Sequence, residues 1–236
     1  MPKLTLIECL KIFNRKERYW LLRKALGDEK KSLPISKSFL KEVLKTFDIE
    51  ESPSIEEVWW AMDYHFDWLA SALVLYAKQE IEKPTLRTLS GPDSLYITGT
   101  QEDVDFVICF GKHIILIEAK GVTNWKIQQF ESKFKRIELL KQFADTENCL
   151  RIHFKLLLLS PKKSDRLENH MNMFCKEDIP VKHIELDIPD EVNPNKVFQP
   201  QDNFIFLKPV RCHESGKENK SGEYWKISPT FMKPNK

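Results

Sequence analysis

Asp105, Glu118 and Lys120 are the residues of this chain whose types and spacing can do chemistry. The two carboxylates interrupt otherwise apolar stretches, Val104–Phe110 and Ile114–Ile117, that read as strands. Only Gly111 and Lys112 remain between the strands, and glycine at the first central position suits a two-residue type II′ turn. Such a turn pairs Phe110 with His113 and, counted outward, sets Asp105 directly across from Glu118. Lys120 lies two residues further on and so shares their face. Carboxylates facing each other across an antiparallel pair lie about 5 Å apart at Cβ and repel. Nothing in folding asks for that arrangement, but a divalent cation does, because Mg2+ is held by one or two carboxylates together with waters and phosphate oxygens. A lysine beside that cation reaches a phosphate or an attacking water. The plain alternative is an exposed hairpin with a diagonal salt bridge, against which stand two strands too apolar for an open edge.

Asp105, twelve intervening residues and then Glu118-Ala119-Lys120 resemble the D…(D/E)xK signature of the PD-(D/E)XK nuclease superfamily. The order of expected elements over residues 54–160 is similar to that family's core as well: helix, three strands, helix, strand. Val104 stands where the motif has proline, a position at which the family varies. The resemblance implies a restriction-endonuclease-like α/β fold, an αβββαβ core with a mixed central sheet flanked by helices. It implies metal-dependent hydrolysis of phosphodiester bonds, DNA being the favoured substrate, in restriction, phage defence or repair. Asp105, Glu118 and the main-chain carbonyl of Ala119 would hold Mg2+ or Mn2+, and Lys120 would orient or deprotonate the attacking water. The family often adds an acidic or histidine ligand from the helix before the sheet, for which Asp63, His65 and Asp67 are the candidates, Asp63 first. Two alternatives remain: RNA cleavage by the same chemistry, and a catalytically silent nucleic-acid-binding or assembly subunit on the same fold. Cutting both strands of a duplex calls for two sites, which makes a homodimer attractive.

The elements that must position these residues follow from periodicity. Residues 4–26 predict one or two amphipathic helices, with Leu6, Leu10, Phe13, Tyr19, Leu22 and Leu26 inward and Gly27 as a stop; residues 36–47 predict another. Ser54 and Glu57 form a capping-box signature and open an expected helix to Lys78, apolar almost all round from Val58 to Ala77. Asp63, His65 and Asp67 interrupt it, and buried carboxylates are costly unless paired or metal-bound. Their simpler role is a polar seam against the N-terminal helices, with Arg15 or Arg18 as partners. Strands are expected at Ser94–Thr98, Asp103–Phe110 and His113–Lys120, then a helix over 124–144 with Ile127, Phe130, Phe134, Ile137 and Leu140 inward. Gln129, Lys133 and Arg136 recur along one shoulder of that helix, as nucleic-acid contacts or simply as a solvated face. Leu150–Ser160 is apolar enough for a central parallel strand. A helix at 164–176, a strand at 182–188 and a hairpin from Asn203–Lys208 and Tyr224–Ser228 complete the pattern. Lys112 and His113 are expected in solvent at the hairpin tip, Tyr224 and Trp225 packed. The expected organisation is an N-terminal helical segment over 1–52 packed on a core over 53–190, with a C-terminal extension over 191–236 that ends in a frayed tail.

Composition bounds the rest. With 42% apolar and 31% charged residues the chain is globular, and a net charge of +2 leaves any nucleic-acid contact to a local patch. The five cysteines are scattered and form no Cys-x-x-Cys pair, so buried free thiols in a reducing compartment are expected, without a zinc knuckle or redox dithiol. No stretch approaches the roughly 20 apolar residues that span a bilayer, and Met1–Arg18 lacks the apolar core of a signal peptide. A cytoplasmic protein with no membrane partner is the expectation. There is no Walker-type phosphate loop, no dinucleotide glycine fingerprint and no HExxH, so neither an ATP-driven motor nor a zinc protease is indicated.

Overall fold

The run Ile114–Ile117 is apolar at every position, so the strand that carries it has to be covered on both faces. The structure is a computed structural model that describes residues 3–26, 33–88, 95, 97–99, 102–121, 125, 127–146, 150–161, 163, 165–187 and 204–231, with all their side chains but those of 129, 166, 204–206, 230 and 231. Helices α1 (Leu6–Phe13), α2 (Glu17–Ala25) and α3 (Lys37–Thr46) precede strand β1 (Trp59–His65) and helix α4 (Phe66–Lys78). Then come β2 (Asp103–Phe110), β3 (His113–Ala119), α5 (Ile127–Thr146), β4 (His153–Ser160), α6 (Asp165–Phe174) and β5 (Val181–Glu185). Strands β6 (Phe204–Cys212) and β7 (Tyr224–Phe231) pair antiparallel in a sheet of their own. The chain divides into two compact units, Met1–Glu185 and Leu186–Lys236.

In the first unit the five strands run in the order β1-β2-β3-β4-β5. Strand β2 pairs antiparallel with both β1 and β3, and β3, β4 and β5 are parallel. On one face Ile114, Leu116, Leu156 and Leu158 pack against Leu6 and Leu10 of α1, Leu69 and Leu73 of α4, and Phe130 and Phe134 of α5. On the other, Ile115, Ile117 and Leu157 meet Tyr19 of α2 and Leu40 and Val43 of α3. The fold is thus mixed α/β, a five-stranded mixed sheet flanked by helices, as the resemblance implied. Helix α1 is tied into the core by the buried Tyr64 hydroxyl, which donates to the Leu10 carbonyl at 2.9 Å.

The expected helix over 54–78 is only half a helix. The capping box forms, with Ser54 N–H donating to Glu57 at 2.9 Å, but it opens a single 3-10 turn, Ile55–Glu57. The chain then extends as β1 and turns helical at Phe66. Val58, Trp59, Trp60 and Tyr64 favour a strand, and a strand buried on both faces shows no period by which to tell it from a buried helix. The first strand of the sheet is therefore β1. Residues 94 and 96 of the expected strand Ser94–Thr98 lie outside the described residues, and Leu95 makes an isolated bridge to Thr88.

Smaller expectations also change. His113 is buried, stacked between Phe110 and His153 at centroid distances of 5.1 and 5.0 Å, and does not face solvent. Leu26, Cys175, Tyr224 and Trp225 are exposed, whereas Cys9, Cys109 and Cys212 are buried free thiols. Gly27, Cys149 and the expected start of the second long helix, residues 122–124 and 126, lie outside the described residues. Among the described residues no helix is long and apolar enough to cross a membrane.

Candidate active site

Gly111 has φ +51°, a left-handed value that glycine adopts without strain and that a two-residue hairpin turn requires. The turn sets the register read from the sequence, Phe110 opposite His113 through Phe106 opposite Ile117. One step further, Asp105 lies within electrostatic reach of Glu118. There the Asp105 carboxylate accepts the Ala119 backbone N–H at 2.7 Å, so it is anchored to the strand that carries Glu118 and Lys120. Lys120 is held in turn by its own N–H, which donates to the Leu159 carbonyl at 2.8 Å and extends the β3–β4 ladder by one residue.

Asp105, Glu118 and Lys120 converge on one cleft of about 380 Å³, whose walls also include Trp125, Gln128 and Lys133. Glu118 is only 6% exposed. Burial pushes its carboxyl up; Lys133 draws it back and the charge of Asp105 adds to the rise, so that it stands at about 7. Lys133 Nζ lies 2.5 Å from Glu118 Oε1. Lys120 Nζ sits over the Trp125 ring, 5.9 Å from its centroid.

Two carboxylates and a main-chain carbonyl are hard oxygen donors, which suit Mg2+ or Mn2+. The buried Glu118 carboxylate accommodates positive charge, since the Lys133 ammonium stands against it. Among the described residues no group of three or more His, Cys, Asp or Glu side chains is gathered around one point. What converges is the Asp105–Glu118 pair.

The upstream candidates are engaged elsewhere. Asp63 lies between the paired positions Met62–Phe106 and Tyr64–Val104, hence across β1–β2 from Asp105. Its backbone is left-handed, φ +49°, a conformation Asp tolerates better than most residues, and its carboxylate is bound by Arg18 at 2.9 Å. That is the polar seam with the N-terminal helices. His65 Nδ1 and Lys16 Nζ both hold Asp103, at 2.9 and 2.8 Å. Asp67 accepts from the backbone N–H groups of Thr98 and Gly99 and pairs with Arg136 at 2.6 Å. Burial works against its charge, but these donors outweigh it and hold the carboxyl below the usual range. Arg136 is itself only 6% exposed and braces Asp67, Thr98 and Glu102, so its guanidinium is turned inward. Lys133 reaches the cleft, and the side chain of Gln129 lies outside the described residues.

Two features of the cleft were not expected from the sequence. Trp125 packs beneath Lys120, and its indole N–H, buried in the cleft wall, has no acceptor among the described residues. Its position five residues after Lys120 was the available signal. Lys133 was a candidate nucleic-acid contact, but its pairing with Glu118 was not expected, because helix periodicity says nothing of a carboxylate on a neighbouring strand.

No protein-family model matches the chain, and no curated protein is significantly similar to it. Among solved structures it is similar to the small subunit of the heterodimeric restriction endonuclease R.BspD6I, at 14% identity over 61% of this chain and 72% of that one, with a TM-score of 0.25.

Proposed function

We propose that the protein is a metal-dependent nuclease that hydrolyses phosphodiester bonds, with DNA as its substrate. The observation that carries this reading is the meeting of Asp105, Glu118 and Lys120 in one cleft, with Glu118 buried and pressed against a second carboxylate. Folding alone gains nothing from such a pair.

In this reading Asp105, Glu118 and the Ala119 carbonyl hold Mg2+ or Mn2+. Bound there, the ion supplies neutralisation of phosphate charge and activation of a water. The chain's own groups do the rest. The Ala119 N–H fixes the Asp105 carboxylate, and the β3–β4 ladder fixes the backbone of Lys120. The Lys120 ammonium orients the attacking water or contacts the scissile phosphate. Of the additional candidates, Asp63 stands nearer than His65, across the register from Asp105; Arg18 holds its carboxylate in this state.

The test is cleavage of supercoiled plasmid, linear duplex and RNA with Mg2+ or Mn2+. Nicking or digestion of DNA that Lys120→Ala abolishes supports the reading, and conversion of plasmid directly to linear form would argue for two sites acting together in a homodimer. Metal-dependent cleavage that persists when Asp105→Ala and Lys120→Ala are combined would sink it. Preference for RNA would keep the chemistry and change the substrate.

One observation favours a second reading. Lys133 pairs with Glu118, and a lysine that keeps this partner would leave the carboxylate engaged, as in a silent binding or assembly subunit. Tight nucleic-acid binding with no Mn2+ uptake is the result that distinguishes it.

A further inference from the structure

Lys133 stands where a cation belongs. Its Nζ lies 2.5 Å from Glu118 Oε1, and the two side chains are only 19% and 7% exposed. The helix beneath it is pinned on either side: Ser132 donates to Glu102 at 3.1 Å, and Arg136 is locked on Asp67 at 2.6 Å. The long flexible stem of Lys133 therefore moves independently of a fixed backbone. The other charges of the cleft are engaged differently, Asp105 by the Ala119 N–H, Glu102 by Ser132 and Arg136, and Lys120 over the Trp125 ring. An ion of the Mg2+ type needs a carboxylate oxygen at about 2.0–2.1 Å. An ammonium already in hydrogen-bond contact with Oε1 competes with it for the Glu118 carboxylate.

Resting on the reading of Asp105 and Glu118 as metal carboxylates, we infer that Lys133 is the resident counter-ion of the site, holding the Glu118 carboxylate through Oε1 and yielding it when a divalent cation enters. The released ammonium remains on the cleft wall, where a phosphate oxygen of the nucleic acid is its next partner. Lys133 is thus a positioning residue with two successive anions. A phosphate that captures the ammonium leaves Glu118 free, so substrate and metal strengthen each other's binding, and the coupling is reciprocal.

Calorimetry of Mn2+ alone with the full chain tests this. Lys133→Met removes the competitor, and Lys133→Gln removes its charge while keeping a hydrogen-bond donor near Glu118. Both should bind Mn2+ about tenfold more tightly than the parent, the scale of one lost charge-assisted hydrogen bond. In thermal denaturation the rise in Tm on adding Mn2+ should be larger in the variants, and Lys133→Arg should behave as the parent. A merely structural lysine predicts the opposite, equal or weaker metal binding in both neutral variants, and that result overturns the inference while leaving the nuclease reading intact. If the parent itself takes up no Mn2+ that Asp105→Ala abolishes, both fall together.

Discussion

Asp105 and Ala119 are joined across the β2–β3 hairpin by a 2.7 Å hydrogen bond from the Ala119 N–H to the Asp105 carboxylate. Because Ala119 stands between Glu118 and Lys120, one bond ties together the three side chains of the cleft. Asp105 serves charge and geometry at once, and the two can be separated. Asp105→Asn keeps an oxygen to accept the N–H but loses the charge. It should lower metal-dependent cleavage at least about 10³-fold, since the metal's contribution is several kcal/mol, while thermal denaturation stays near the parent. Near-normal cleavage by a well-folded Asp105→Asn protein would remove this residue from the metal site.

Glu118 links stability to pH. Its carboxyl is pushed from an ordinary 4.5 up to about 7, chiefly by burial. The unfolded chain therefore gives up this proton more readily than the folded one. The stabilisation from the protonated form is complete below the ordinary value and is lost as pH rises through about 7, a change on the order of 3 kcal/mol. Urea denaturation in a chelator, from roughly pH 5 to pH 8, should show falling stability, and Glu118→Gln should flatten that slope. An equal slope in the variant would mean that some other group is titrating.

Arg136 braces the wall of the cleft from behind. It is buried, paired with Asp67 at 2.6 Å and bonded to Thr98 at 2.9 Å. Arg136→Met strands the Asp67 carboxylate and should cost about 3–5 kcal/mol in chemical denaturation. Lys in its place should recover only part of the loss, because a point charge cannot serve Asp67 and Thr98 with one planar fork. A loss below 1 kcal/mol, roughly that of an exposed pair, would show the network to be incidental.

Trp125 offers the cleft a buried N–H without an acceptor among the described residues. A buried unsatisfied donor is a cost to the fold, so its removal offsets part of the packing lost with the smaller ring, and Trp125→Phe should change stability by no more than about 1–2 kcal/mol. If a substrate phosphate supplies the missing acceptor, the same variant should weaken DNA binding about 5- to 10-fold, measured in Ca2+ by anisotropy. Unaltered binding would assign the indole to packing alone.

The site was legible in sequence because its information is local. A two-residue turn and a side-chain period of two specify which residues of a hairpin share a face, and the structure carries the same register from Phe110–His113 to Phe106–Ile117. The parallel β4 was legible too, its apolar run matching burial on both faces. Segment 58–65 was not. An all-apolar stretch carries no period, and whether Trp59–His65 became strand or helix was decided by its pairing with β2.

Lys133, Arg136 and Asp63 mark the same boundary among charged residues. All were visible as candidates, but a lysine and an arginine one turn apart on α5 look alike until their partners are known. Sequence by itself determined the hairpin register that brings Asp105, Glu118 and Lys120 to one cleft. Only the tertiary structure decided that Lys133 turns to Glu118, that Arg136 turns inward to Asp67 and that Arg18 takes Asp63. The reason is physical: a buried charge is placed by whichever opposite charge the fold brings within a few ångströms, and that neighbour is remote in sequence.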